Sequence, residues 1–520
     1  MGKNSNDRRI IINWDECNMW SNLLRDRLGD DAGGQRTARL LEEIVDEHHK
    51  AQVDTIVHCV FGFSFRSHLR SSKATDLLVN PPNPRPTTLE EAGIDFLQLL
   101  IDRCHQRNME FVAGLRMNDR HVSTMTNKSQ SIKDHPEWHL KSRPGGLDFA
   151  HEGVRRGLFL AFIKEVLETY DVDGIEFDWM RWCHMFEAGE GSRHADLLTE
   201  FTREARDLLD TAVAGRNGNR MLLGVRVPQT VEECQHLGFD VATWIQEGLI
   251  DWVVPSDFLY MDFTVKTEAF VEMARGTDCK IYPAIHPSVC WGVDAKRVRM
   301  MTPANYRAAA QNFYSYGANG ISPYNYQWHW GEPRGTGRLS PGYMWPAALG
   351  YLRELRDPES VRLRDRHYLY YPLWSRTTCS KSPSDFWHDD NIYLQRSGTN
   401  RQGSRSFRLA EDLSDPHLRS TLQFKAVGLY RGEFLEIQLN GNRVSDEYVS
   451  RLANRDGQQK SEGRTLTAFC LYVIDLNWWG TQKPPIINGD NELSVHLVPE
   501  EGETEGTIVI DELEVYVYVE

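Results

Sequence analysis

Two observations predict an α/β chain built as a (β/α)8 TIM barrel followed by a jelly-roll-like β-sandwich. From residue 9 to about residue 356, eight short apolar runs alternate with longer amphipathic stretches; beyond residue 357 helical periodicity gives way to short alternating strands. A length of 520 residues is too great for one compact core and fits the same division. The expected domains are a barrel over 1–356 and a sandwich over 357–520 with a linker at its start.

The apolar runs are Arg9 to Trp14, Asp54 to Gly62, Glu110 to Met117, Val172 to Trp179, Met221 to Pro228, Ile250 to Ser256, Cys279 to Ile285 and Ala318 to Tyr324. Helical patterns lie around 36–50, 88–107, 151–170, 192–214, 240–248, 265–275, 303–316 and 342–356. The seventh carries its own punctuation: Thr302 can cap, Pro303 suits the first helical position, and Gly317 suits the left-handed position after the end. Residues 66–86 and 118–149 are long, polar and follow strands, so they are expected as loops walling the catalytic face. In the tail, strands are expected at Ser420 to Ala426, Phe434 to Leu439, Ala468 to Leu476, Asn491 to Leu497 and Thr507 to Val519. Asn440-Gly441 is a hairpin signal, and residues 488–491 resemble a second turn.

Bulk composition narrows the function classes. Forty per cent hydrophobic and 26% charged residues describe an ordinary globular protein, and a formal charge of −15 argues against nucleic acid or an anionic membrane as partner. Fifteen tryptophans and 19 tyrosines suit stacking on sugar rings as well as core filling. Nine cysteines without CxxC pairs suggest reduced thiols and no zinc knuckle. The polar start runs into a strand without an apolar leader, and no stretch is long enough to span a bilayer. A cytoplasmic location is therefore expected, or a secreted or periplasmic one if a signal peptide has been removed. The sequence leaves a homo-oligomeric state open.

The chemistry concentrates at the fourth strand, where Glu176 and Asp178 share one face while Ile175 and Phe177 share the other. In a barrel the acidic face points inward and Asp178 sits at the carboxyl end, among Trp179, Arg181 and Trp182. Parity also turns Arg116 of the third strand and Arg226 of the fifth inward, giving two cations beside two anions, an arrangement that favours ionised carboxylates. A structural ion-pair network filling the barrel is the competing reading, strongest for the deeper Glu176.

Glycoside hydrolysis needs a second carboxyl group. Asp257, at the tip of the sixth strand, is the leading candidate because strand ends hold groups accurately; Glu232 follows, with Glu233, in the loop after the fifth strand. An N-capping role would explain Asp257 equally well. Further polar groups mark the other strand tips: Asn13, Asp15, Arg66, His68, Asn118, Asp119, His286, Tyr324 and Asn325. Trp291, Trp328 and Trp330 are stacking candidates. No HxH, HExxH or DxDxDG pattern is present for a metal, and there is no GxGxxG, P-loop or GxSxG elbow, so no cofactor is expected.

The run from Val172 to Trp182 resembles the DGIxxDxxR fourth strand of the glycosyl-hydrolase-like family 10 proteins and neighbouring glycoside hydrolase barrels. That resemblance implies a nucleophile at Asp178. α-Galactosidase-like barrels carry their acid after the sixth strand, matching Asp257; α-amylase-like barrels carry it after the fifth, near Glu232. Trp179 stands where tyrosine is frequent, and Trp182 where a tyrosine or phenylalanine before proline is frequent. Both departures bear on the substrate rather than the fold. The tail, with Asn440-Gly441 and residues 489–493, looks like the jelly-roll sandwiches that accompany such barrels.

The expected function is hydrolysis of O-glycosidic bonds in an oligo- or polysaccharide, with retention: Asp178 attacks, and Asp257 or Glu232 serves as acid and base. Arg116, Arg181 and Arg226 orient the nucleophile or bind an anionic substituent. Asn13, Asp15, Glu176, Trp182, His286, Tyr324, Asn325 and Trp328 line the substrate site. Two other classes stay open, a non-catalytic carbohydrate-binding or scaffold protein and a polysaccharide lyase acting on uronic acids through His286, Tyr324 and Arg226.

Overall fold

The computed structural model describes residues 9–14, 28, 33–62, 65–69, 72–76, 89–119, 129–214, 220–258, 260–291, 297–326, 347–370, 373–375, 387–389, 391–429, 432–453, 459–461, 464–466, 469–477, 486–498 and 505–520. The chain divides into two compact units: residues 1–259, 266–287 and 316–357 in one, and residues 260–265, 288–315 and 358–520 in the other.

The first unit is built on nine parallel strands, β1 (Arg9–Trp14), β2 (Thr55–Gly62), β3 (Glu110–Arg116), β4 (Gly174–Asp178), β5 (Leu222–Pro228), β6 (Trp252–Ser256), β7 (Lys280–Ile281), β8 (Ala284–Ile285) and β9 (Gly320–Pro323). Their order in the curled sheet is β7-β6-β5-β4-β3-β2-β1-β9-β8. The two edge strands are halves of the single expected run Cys279 to Ile285. Pro283 has no N–H and interrupts the ladder there. Tyr282 N–H still donates to Val253 O at 2.9 Å, and Pro283 O accepts from Ser322 N at 3.0 Å. The ladder is open between β7 and β8, yet only two residues of backbone separate its edges.

β2, β4 and β9 are buried along their whole length, as strands of a parallel sheet covered on both faces are. One face supplies a cluster of Ile11, Val57, Val112, Trp252, Val254, Tyr282 and Ala284. On the other, Phe177 and Trp179 pack on Phe201, with ring centroids 5.2 and 6.1 Å apart. Trp179 is thus a core residue, because strand alternation turns it away from the face that carries Asp178.

The α-helices of six or more residues are α1 (Gly34–Lys50), α2 (Phe96–Gln106), α3 (Ala161–Thr169), α4 (Ala195–Ala214), α5 (Val231–Leu237), α6 (Val241–Gln246), α7 (Glu268–Met273), α8 (Pro303–Ser315) and α9 (Ala347–Glu354). α3 is entered through a π-helical stretch, Gly153–Leu160. The sequence reading missed α5. It also placed α8 as the seventh barrel helix, whereas α8 belongs to the second unit, where Asn305 Nδ2 donates to His367 O at 2.7 Å and Asn312 Oδ1 accepts from Ala410 N at 3.0 Å.

The second unit carries β10 (Arg366–Tyr370), β11 (Ile392–Gln395), β12 (Gln402–Leu409), β13 (Leu418–Val427), β14 (Phe434–Leu439), β15 (Asn442–Arg443), β16 (Val449–Ala453), β17 (Phe469–Asp475), β18 (Gly489–Val498) and β19 (Thr507–Val519). One antiparallel sheet has the order β10-β19-β13-β17-β16, with β11 also paired to β19; a second has the order β12-β18-β14-β15. Asn440 and Gly441 take φ values of 49° and 76°, the pair of left-handed residues that a tight hairpin turn between β14 and β15 demands.

A buried ion pair holds the first sheet to the segment after β12. Arg366 Nε and Nη2 donate to the two oxygens of Glu411 at 2.6 and 2.8 Å, and Tyr368 OH donates to Glu411 Oε1 at 2.6 Å. Removing one partner strands the other charge in the core, so Glu411→Ala is expected to cost about 3–5 kcal/mol in urea denaturation. A cost below about 1 kcal/mol would show that solvent reaches Arg366.

Candidate active site

The register of the central strands determines which side chains meet. Gly114, Glu176 and Gly224 pair in one row, and Arg116, Asp178 and Arg226 in the next. Both flanking arginines face the same side as Asp178, as parity requires, but their roles differ. Arg226 Nη1 donates to Asp178 Oδ1 at 2.8 Å and Oδ2 at 3.0 Å, whereas Arg116 Nη1 pairs with Asp119 Oδ2 at 2.9 Å. All four side chains are buried.

Arg226 spends its other donors on the end of β6. Its Nε donates to Ser256 Oγ at 3.0 Å, and Nη2 donates to the carbonyls of Asp257 at 2.9 Å and Phe258 at 3.2 Å. Its Cζ lies 3.9 Å from the centroid of the Tyr324 ring. Ser256 Oγ donates to Asp257 O at 2.7 Å and lies 3.0 Å from His286 Nε2, so the tautomer with hydrogen on Nε2 completes the set. Burial, aided by the Arg226 charge, pushes His286 well below the usual histidine range and leaves it neutral.

Glu176, one row deeper, takes two neutral donors: Asn13 Nδ2 at 3.1 Å and Trp252 Nε1 at 3.0 Å. The indole gets there because Gly224 leaves its place empty; an added Cβ would collide with the Trp252 ring. Burial lifts the Glu176 carboxyl to about 7, and the Asp178 charge adds to the rise against the opposing pull of the two hydrogen bonds and Arg226.

The mouth is flanked by aromatics and a cation. Arg181 Cζ lies 5.5 Å from the Trp182 ring and 5.1 Å from Phe258, and those rings meet edge to face at 5.5 Å. Trp182 is half-buried and adopts φ 59°, a left-handed conformation unusual for so bulky a residue. Asn325, with φ 52°, donates its N–H to Asn13 O at 3.3 Å. Asn118 holds residues of the following loop: its Nδ2 donates to Leu147 O and His184 O, and its Oδ1 accepts from Leu147 N at 2.8 Å.

The expected site residues therefore separate. Asn13, Glu176, Asp178, Arg226, His286 and Tyr324 share contacts, and Asp257 joins through its backbone. Glu232 lies exposed on the first turn of α5, which Thr230 caps by accepting from Glu233 N at 3.1 Å. Glu233, not Glu232, is the buried member of that pair. Trp291 falls in a hairpin of the second unit, Ser288–Trp291 against Arg297–Met300. His68 is half-buried against His58, with nitrogens 3.3 Å apart. Asp15, Trp328 and Trp330 lie outside the described residues. Sequence reading missed Trp252, Ser256 and Phe258. Among the described residues no group of three or more His, Cys, Asp or Glu can hold a metal ion, and no helix is long and apolar enough to cross a membrane.

Two outcomes follow. Gly224→Ala is expected to expel the Trp252 indole from Glu176 and destabilise the protein by about 1–3 kcal/mol, checked by chemical denaturation with Trp252 fluorescence isolated by substitution of that residue. Glu176 has a folded value above its unfolded one, so its contribution is full below the ordinary glutamate range and is lost as pH rises through 7. Between pH 5 and pH 8 the wild type should lose about 3 kcal/mol relative to Glu176→Gln. Parallel pH profiles would show Glu176 to titrate normally.

No family model matches the chain. It is 21% identical over 214 residues to the Bacillus subtilis protein "Glycosyl hydrolase YngK", a match covering 34% of this chain and 41% of that relative. The chain thus aligns with less than half the length of the curated relative. Among solved structures it is similar to α-L-fucosidase isoenzyme 2 from Paenibacillus thiaminolyticus, with 12% identity, TM-score 0.39, and coverage of 69% of this chain and 49% of that one. It is also similar to the PgaB (BpsB) glycoside hydrolase domain from Bordetella bronchiseptica, with 11% identity, TM-score 0.40, and coverage of 68% and 99%. A third is an α-L-fucosidase from Bacteroides thetaiotaomicron, with 10% identity, TM-score 0.37, and coverage of 99% and 94%.

Proposed function

We propose that this chain is a glycoside hydrolase that cleaves O-glycosidic bonds with retention, with Asp178 as nucleophile and Asp257 as acid and base. The observation that carries the reading is the placement of Asp178: a buried carboxylate at the end of β4, gripped through both oxygens by Arg226, whose guanidinium also binds the backbone of Asp257. The glycosyl hydrolase likeness of the curated relative supports the reaction class. The first unit is then a (β/α)8 barrel with its seventh strand broken at Tyr282-Pro283, akin to glycosyl-hydrolase-like family 10, and the second a β-sandwich.

In this mechanism Asp178 attacks the anomeric carbon while Asp257 protonates the departing glycosidic oxygen. Asp257 then takes a proton from water, which attacks the same carbon and releases Asp178. Arg226 keeps the nucleophile's oxygens oriented in both steps, and Trp182 and Phe258 offer apolar ring surface beside the reacting sugar.

The test is hydrolysis of aryl glycosides and natural oligosaccharides by wild type, Asp178→Asn and Asp257→Ala, each checked by thermal melting. Asp178→Asn should lose at least about 10³-fold in kcat on every substrate cleaved. Asp257→Ala should lose about 10²–10⁴-fold on natural sugars and less on activated aryl glycosides, and azide should restore turnover as the glycosyl azide of retained configuration. A wild type inactive on the whole panel, or an Asp178→Asn protein of undiminished rate, would sink the reading.

A second reading has one observation in its favour. His286 and Tyr324 have ring centroids 5.3 Å apart with Arg226 over the tyrosine, the base and cation that elimination from a uronic acid requires. Release of an unsaturated sugar in the same panel would favour it.

A further inference from the structure

The four-stranded sheet of the second unit has an outer face of unusual composition. Along β14 burial alternates, so that Leu435, Ile437 and Leu439 face inward while Phe434, Glu436 and Gln438 face out. β18 presents Glu492, Ser494 and His496 on that same outer side, and β12 presents Gln402 and Ser404. Register arranges these in rows: Gln402, His496 and Glu436 in one, and Ser404, Ser494 and Gln438 in the next.

The rows explain a depression there. Two serines side by side form a low floor, and the longer side chains of the neighbouring row and Gln438 rise around it, leaving a pocket of about 340 Å³. That volume lies at the lower end of the range of small-ligand sites. Its walls are already held in place: His496 Nδ1 lies 3.4 Å and Arg443 Nη2 3.3 Å from Glu436, and Ser494 Oγ donates to Glu492 at 3.1 Å. Phe434, one row beyond Glu436, is 48% exposed, a large aromatic left in water at the edge of a polar trough.

An aromatic face beside converging donors and acceptors matches a sugar, whose C–H face stacks on a ring while its hydroxyls both give and accept hydrogen bonds. The described cations near the trough, Arg443 and His496, are engaged with Glu436, and Glu492 adds a further negative charge, so among the described residues a polyanionic chain meets no unengaged positive partner in the trough. We propose that this outer face is a second carbohydrate-binding site that holds an uncharged polysaccharide, with Phe434 stacked on one sugar ring and the serine-floored trough receiving the hydroxyls of its neighbour. The inference rests on the glycoside hydrolase reading only for the class of ligand. Its role is to keep polymer close to the enzyme, so that a weak second contact raises the local concentration of substrate.

The test is affinity electrophoresis of the full chain carrying Asp178→Asn, in gels containing β-glucan, xylan, glucomannan, galactan or the anionic polygalacturonate. Retardation is expected in at least one neutral gel and not in polygalacturonate. Adding Phe434→Ala should weaken that retardation at least about tenfold, the worth of one stacked ring. Ser494→Tyr, which fills the trough with a residue that suits an exposed strand, should abolish it without lowering the melting temperature. Unchanged mobility in every neutral gel, retardation in polygalacturonate alone, or retardation indifferent to both substitutions would overturn the proposal. With Asp178 intact, Phe434→Ala should hydrolyse short aryl glycosides at the wild-type rate. Hydrolysis and retardation are read separately, so loss of the enzymatic reading would leave this site standing, and the reverse.

Discussion

The site depends on a single buried guanidinium. Arg226 extends from β5 in the middle of the sheet and makes bonds to the ends of both neighbouring strands: the Asp178 carboxylate on β4, and the Ser256 hydroxyl and Asp257 and Phe258 carbonyls at the end of β6. Only arginine has enough donors in a rigid fork to serve all of these at once; a lysine ammonium is a point charge that would leave carbonyls unpaired. Burying that charge is costly, and the cost is offset here by a carboxylate partner and by every available acceptor around it. The geometry of Asp178 and Asp257 is therefore coupled, since one group orients both.

Volume is the second constraint. Gly114 and Gly224 flank Glu176 in register, so the row beneath Asp178 has no side chains of its own on either side. Across β5 the space is taken by the Trp252 indole, and from β1 by Asn13, each bringing a hydrogen to one oxygen of Glu176. Small residues next to a buried acid thus let distant strands satisfy it, and they knit β1, β4 and β6 together through the sheet interior. The same logic recurs at Gly62, where an added Cβ would crowd the side chains of Arg116 and Cys59 and approach Asp119.

Much of this arrangement is legible in the sequence because parallel strands obey a two-residue period. Parity alone put Arg116, Asp178 and Arg226 on one side, and register then set them in one row. Parity did not reveal which arginine takes Asp178, because that choice depends on Asp119, three residues beyond Arg116, in a connection whose path no periodicity describes. Trp252 was hidden for a related reason: it reads as the start of an apolar run, and its polar atom matters only through the empty place at Gly224. Glu232 was expected in a loop, although Thr230 and Glu233 form a capping pattern and Gly238, with φ 88°, ends the helix they begin. In the second unit, hairpin residues and clean alternation exposed β13, β14, β17, β18 and β19, whereas β10, β11 and β12 carry long polar or aromatic residues that blur a period of two.

The two acids of β4 have different partners. They sit two residues apart on one buried face, where two negative charges cannot be held without two positive partners. The structure places one cation, Arg226, against Asp178, and gives Glu176 only neutral donors. Burial chiefly, with a lesser push from the Asp178 charge, raises Glu176 to about 7, so near neutrality the deeper acid carries its proton much of the time, while the guanidinium pairs with Asp178. Glu176 is pinned one row deeper by an indole and an amide, whereas Asp178 ends its strand, with Arg226 on both oxygens and the Met180 N–H on Oδ1. The pairing that orders this face of the sheet is thus also what distinguishes the surroundings of the two acids, and it does so through the position of one arginine rather than through any difference between the carboxyl groups themselves.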